Sequence, residues 1–140
     1  MRWTIAAACL AVSSAASAQE ETPAPEPQNV LVEIYRIAPG KHREFLEAIA
    51  SYDEANRLAG LPPRQLYVHQ DGAGWDFMLI QPAHTPDDKR EALNAAWDRL
   101  GLPSGPDFFF TFRSMIAEHS DTFASGPTSA AAYLARAKDD

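Results

Sequence analysis

"QLYVHQDGAGWDFMLIQ", residues 65–81, reads as two short strands folded back on a glycine-containing turn. If the loop is Asp71 to Gly74, Gln70 meets Trp75, His69 meets Asp76, Val68 meets Phe77 and Tyr67 meets Met78. A two-residue loop at Gly72-Ala73 gives the same pairing, whereas a three-residue loop would break it. Alternation then puts Leu66, Val68, Trp75, Phe77 and Leu79 on one face and Tyr67, His69, Asp76, Met78 and Ile80 on the other.

Working outward, "NVLVEIYRI" (29–37) is β-branched and aromatic, a strand that turns at "APG". From His42 to Ala59 the residues Phe45, Ala48, Ile49, Tyr52, Ala55 and Ala59 recur at helical spacing; Gly60 and Pro62-Pro63 end the run. After the hairpin, Thr85 is the expected N-cap of a second helix with Pro86 at its first position. Leu93, Ala96, Trp97 and Leu100 form its stripe, and Gly101 closes it. "DFFFTFRSMI" (107–116) carries two patterns. Phe108, Phe110 and Phe112 alternate as on a strand; Phe108, Phe112, Met115 and Ile116 would also line a helix. Phenylalanine density and the preceding "PSGP" favour the strand. "TSAAAYLARAK" is a short closing helix capped by Thr128 or Ser129.

The expected fold is therefore α+β, ferredoxin-like, in the order β-α-β-β-α-β. It has a four-stranded antiparallel sheet, two helices on one face and an extra C-terminal helix. The run "VLVEIYRIAPGKHREFLEAI" resembles the opening of dimeric α/β-barrel proteins, which include antibiotic-biosynthesis-type monooxygenases, stress-responsive barrel proteins and NIPSNAP-like proteins. The resemblance covers residues 29 to about 116, carries no catalytic signature and leaves "HSDTFASGP" unmatched. It implies a homodimer with a ligand cavity between each sheet and the partner. If the protein is an enzyme, it implies cofactor-independent proton abstraction or oxygenation.

The ends frame this domain. Arg2, an apolar core from Trp3 to Val12 and the small-x-small triplet Ala16-Ser17-Ala18 read as a signal peptide over residues 1–18. That places the mature chain in the periplasm or outside the cell. Cys9 is the sole cysteine and would leave with the signal, so neither disulfide nor thiol chemistry is expected. "QEETPAPEPQ" (19–28) reads as a disordered acidic, proline-rich tether. Residues 29–126 form the barrel domain and 127–140 the C-terminal helix. With 12 basic against 19 acidic residues and a net charge of −7, no nucleic-acid or anionic-membrane partner is expected.

Candidate site residues follow from strand parity. Putting Val30, Val32 and Ile34 under the helices sends Leu31, Glu33, Tyr35 and Ile37 to the opposite face, with Tyr67, His69, Asp76, Met78 and Ile80. Two tyrosines, a methionine and titratable groups on one face suit a partly wet cavity. His69 and Asp76 are the candidate catalytic pair, Asp76 orienting the ring and His69 acting as base; a bland cross-strand ion pair is the alternative. Glu33, Tyr35, Tyr67, Met78 and His119 are candidate ligand contacts. His119 and Asp121 share a side if "AEHSDTF" is extended, although an exposed loop is the favoured reading of that run. No two histidines have metal-ligand spacing, and no phosphate loop or nucleophile elbow occurs, so no metal or cofactor is expected. The expected ligand is small and partly apolar. A non-catalytic assembly module is the competing class.

Overall fold

The computed structural model describes residues 27–72 and 74–138. The signal-peptide reading, most of the tether and Ala73 of the hairpin loop lie outside the described residues. The elements are β1 (Gln28–Ile37), α1 (His42–Leu58), β2 (Gln65–Val68), β3 (Phe77–Pro82), α2 (Asp87–Arg99), α3 (Gly105–Ser114), β4 (Ile116–Gly126) and α4 (Ala130–Arg136). The sheet has four strands in the order β2-β3-β1-β4, all neighbours antiparallel. This is the ferredoxin-like arrangement, with α3 inserted between the second long helix and the last strand.

Both long helices stop where glycine permits it. After α1, Gly60 (φ +70°) donates to Arg57 O and Leu61 donates to Asn56 O. After α2, Gly101 (φ +62°) donates to Asp98 O and Leu102 to Trp97 O. Each is the paired 5→2 and 6→1 closure that a left-handed residue makes possible. The start of α2 differs from expectation by one position: Pro86 itself is the N-cap, with no side-chain cap from Thr85. Ser129 does cap α4, accepting from Ala132 N at 3.1 Å.

Residues 107–116 are a correction. Residues 107–115 coil as α3 and its C-terminal turn, and the fourth strand is the largely polar run that starts at Ile116. The deciding pair is Phe108 and Phe112, one turn apart, whose rings stack 5.5 Å from each other and both reach Tyr52. Phe109 and Phe110 are left outside, 58% and 67% exposed. A strand would have put Phe110 on the same side as Phe108 and Phe112.

Strand parity in β1 is the second correction. Tyr35 lies opposite Phe77, and Glu33 opposite Leu79. Leu31, Glu33, Tyr35 and Ile37 therefore share the helix side with Phe77 and Leu79, and Val30, Val32 and Ile34 face outward. Tyr35, Ile37, Phe45, Ile49, Tyr52, Phe77, Leu79, Met115 and Ile116 form the buried core. The outer face carries Val30, Val32, Ile34, Met78 and Ile80, all half-buried, and none joins that core. Both faces of β1 are largely apolar, so hydrophobic alternation alone does not choose between them. What chooses is ring volume: Tyr35 sits 5.0 Å from Phe45 and 6.0 Å from Phe112, centroid to centroid.

The helical reading of residues 105–114 sets up a contrast. Phe112→Ala is expected to cost about 3 kcal/mol of unfolding free energy. Phe110→Ala should stay within about 0.5 kcal/mol. Urea unfolding of both variants measures the difference; equal losses would restore the strand.

Candidate functional site

On the helix side, β1 and β4 present a row of polar groups that runs from the edge of the core to the exposed edge strand. Tyr35, 2% exposed, donates its hydroxyl to Glu33 Oε1 at 2.7 Å. Gln81, next along on β3, donates its amide to Glu33 Oε2 at 2.6 Å. Burial pushes the Tyr35 hydroxyl pKa well above the usual tyrosine range. The bond to Glu33 and the charges of Glu33 and Asp121 add to the rise, and Arg64 opposes it. Tyr52 is also raised by burial and opposed by Arg64.

The strand register brings His119 beside Tyr35 and Asp121 beside Glu33. The imidazole stacks on the Tyr35 ring at 5.6 Å and 10°. Its Nδ1 lies 2.9 Å from Arg113 Nη1, and its Nε2 3.5 Å from Asp121 Oδ2. A guanidinium can only donate, so Nδ1 accepts and the ring proton sits on Nε2, toward Asp121. Held this way, His119 is an oriented ring whose Nδ1 is already engaged.

Two hollows share His84. One, of about 420 Å³, is lined by Asn29, Ala83, His84, Phe123, Ala124 and Ser125 at the open end of the sheet. The other, of about 110 Å³, lies toward α1 and α2, with Asn56, Arg64, Gln81, His84, Thr85 and Trp97 among its walls. Gln81 thus lines the smaller hollow while its amide nitrogen is spent on Glu33.

The expected catalytic pair does not assemble. The strands do bring His69 and Asp76 opposite one another, with His69 N–H donating to Asp76 O at 3.0 Å. The Asp76 carboxylate turns instead to the end of β1 and the start of α1. Its Oδ2 accepts from Ile37 N–H at 2.6 Å, and its Oδ1 lies 3.4 Å from His42 Nε2. The His69 ring packs on Trp75 at 4.8 Å. Among the described residues the two side chains form neither a hydrogen bond nor an ion pair. The reason is that the β1–β3 ladder ends at Tyr35 and Phe77, which leaves the Ile37 N–H just beyond it in need of an acceptor.

Glu33 and Tyr35 stand on the helix side, away from any partner, which corrects their expected orientation. Tyr67 and Met78 lie on the outer face. Tyr67 is 49% exposed, and its hydroxyl donates to Gln65 Oε1 at 3.3 Å. His119 belongs to a strand rather than the favoured loop. Sequence reading missed Gln81, Arg64 and Arg113. A signal for Gln81 existed: it continues the helix-side alternation of Phe77 and Leu79. Among the described residues no cluster of three or more His, Cys, Asp or Glu could hold a metal ion.

No family model and no curated protein matches the chain. Among solved structures, the chain is similar to a NIPSNAP family protein from Agrobacterium tumefaciens (18% identity, 73% of this chain and 94% of that one, TM-score 0.45). It is also similar to a dimeric protein of unknown function and ferredoxin-like fold from Bacteroides fragilis (11% identity, 70% and 95%, TM-score 0.39). A third is a putative antibiotic biosynthesis monooxygenase from Chloroflexus aurantiacus (23% identity, 72% and 96%, TM-score 0.33). These are the groups that the opening strand and helix resemble, and the likeness is one of fold.

Two outcomes follow from this geometry. Asp76→Ala strands the Ile37 N–H and should cost about 1–3 kcal/mol; His69→Ala should cost under about 1 kcal/mol. Chemical denaturation separates them, and equal effects would revive the pair. Burial also keeps Tyr35 neutral in the folded chain after an unfolded tyrosine has ionised near pH 10. The unfolded state then binds fewer protons, so stability is full below about pH 10 and falls as pH rises beyond it. Unfolding followed from pH 9 to 11 should show this loss, reduced in Tyr35→Phe.

Proposed function

We propose that this chain is an exported, homodimeric α/β-barrel protein that binds a small, partly apolar molecule between its sheet and its own helices. The observation that carries the binding reading is the pair of hollows that meet at His84, the smaller of them lined by Gln81, whose amide is tied to Glu33. Phe123 gives the larger hollow an apolar wall and Trp97 gives one to the smaller, beside the polar Asn56, Arg64 and Gln81, the mixture typical of ligand sites.

Homodimerisation is supported by the outer sheet face. Val30, Val32, Ile34, Met78 and Ile80 form an apolar surface outside the core cluster of the chain's own helices. A second copy covers such a face with the same residues by two-fold symmetry. A hollow of about 270 Å³ there is lined by Val30, Val32, Gln65, Tyr67, Ile80 and Pro127, among others. Of its polar side chains, Gln65 and Tyr67 already bond each other, leaving Ser125 in a mostly apolar lining, so it suits an interface better than a polar ligand. Export rests on residues 1–18 and their small-residue cleavage signal. Binding is favoured over catalysis by His119, whose accepting nitrogen is held by Arg113.

Native mass spectrometry of the purified chain tests both halves at once. The expected spectrum shows a dimer carrying a co-purified small molecule. Val32→Glu should give monomers, and His84→Ala with Phe123→Ala should lose the bound mass but keep the dimer. A monomeric wild type with no adduct would overturn the reading.

A further inference from the structure

The smaller hollow has an arginine in its wall. Arg64 lies just before β2 with its side chain 14% exposed. Its Nη1 donates to Asp53 Oδ1 at 2.7 Å, and its backbone N–H reaches the same oxygen at 3.5 Å. A guanidinium has five N–H donors in a planar fork that matches a carboxylate edge. Among the described residues, one of those five has a partner. The charge is also felt inside the fold, since Arg64 draws the hydroxyl pKa values of both Tyr35 and Tyr52 downward against the rise from burial.

The other polar walls are Asn56, Gln81, His84 and Thr85, and the apolar ones include Leu93 and Trp97. Asn56 and Thr85 bring further donors. The Trp97 indole N–H is already given to Pro103 O at 2.8 Å, which leaves that ring as an apolar surface. Glu33 on β1 has one oxygen taken by Tyr35 and the other by Gln81. A partly buried guanidinium with spare donors in the wall of a hollow suits an acceptor oxygen, and the sharing of His84 with the larger hollow gives the rest of such a ligand a way out.

We propose that Arg64 is a carboxylate anchor. On this view the molecule bound between sheet and helices is a small organic acid, its carboxylate in the hollow by Arg64 and its apolar body directed past His84 toward Phe123. The proposal rests on the ligand-binding reading above and adds the chemical class of the ligand. It also gives Asp53 a definite part: that carboxylate competes with the ligand for the same guanidinium.

The test uses benzoate and its neutral counterpart benzamide on the full chain, followed by calorimetry and by the Trp97 indole signal in NMR. Benzoate is expected to bind and shift Trp97, and benzamide to bind at least about tenfold more weakly. Arg64→Lys should weaken benzoate about tenfold, because an ammonium lacks the planar fork. Asp53→Asn should tighten benzoate severalfold by releasing the guanidinium, which a merely structural ion pair would not do. If Arg64→Lys fails to fold, Asp53→Asn alone decides. Equal binding of acid and amide, or weaker benzoate binding in Asp53→Asn, overturns the anchor while leaving the cavity as a ligand site. If neither probe binds and no compound co-purifies, both readings fall.

Discussion

The Tyr35 ring is the contact around which the rest of this fold is arranged. It sits on the middle strand pair and touches Phe45 of α1, Phe112 of α3 and His119 of β4. Four elements are thus tied through one side chain that is 2% exposed. A buried tyrosine must place its hydroxyl, and this one donates to Glu33 two residues back on the same strand. That requirement brings a carboxylate to the helix side, and Gln81 then satisfies its second oxygen. The polar row follows from the burial of a ring with a hydrogen-bonding end.

Asp76 performs a comparable service at the other end of β1. The β1–β3 ladder ends at Tyr35 and Phe77, and the Ile37 N–H just beyond it needs an acceptor. Asp76 supplies it while its own backbone N–H bonds Tyr35 O at 2.8 Å. One residue therefore fastens β1, the β2–β3 hairpin and the first turn of α1, where His42 approaches its second oxygen. A carboxylate occupied this way is a structural clamp, which is why opposition to His69 across the hairpin creates no proton relay.

The architecture was legible because its signals are local. Helix stripes closed by Gly60 and Gly101, and a hairpin pivoting on glycines, gave the element order directly from residue types. The parts that were not legible depend on partners far away in sequence. Phe108 to Phe112 fit both periods, and only the Tyr52 and Trp97 rings, which Phe108 meets at 5.8 and 6.0 Å, select the helix. β4 was hidden because it is an edge strand. Exposed along most of its length and carrying Glu118, His119 and Asp121, it shows none of the alternation that marks a half-buried strand. The orientation of Glu33 and Tyr35 was hidden because both faces of β1 are apolar enough to be buried. For that reason Glu33 and Tyr35 were named but placed on the wrong side of the sheet, and Gln81, Arg64 and Arg113 were not named at all.

The corrected parity also separates two roles that a single face would have had to combine. Were Glu33, Tyr35 and His119 on the outer face, a second copy closing over them would have to bury their charges or leave water in the seam. With those groups turned inward, the outer face keeps Val30, Val32, Ile34, Met78 and Ile80, which desolvate cheaply. The inner face can then keep a wet end, because the helices cover Tyr35 fully but leave Phe123 69% exposed. Through the alternation of Val32, Glu33, Ile34 and Tyr35, one strand thus presents an apolar outer side and a polar-bearing inner side from successive residues.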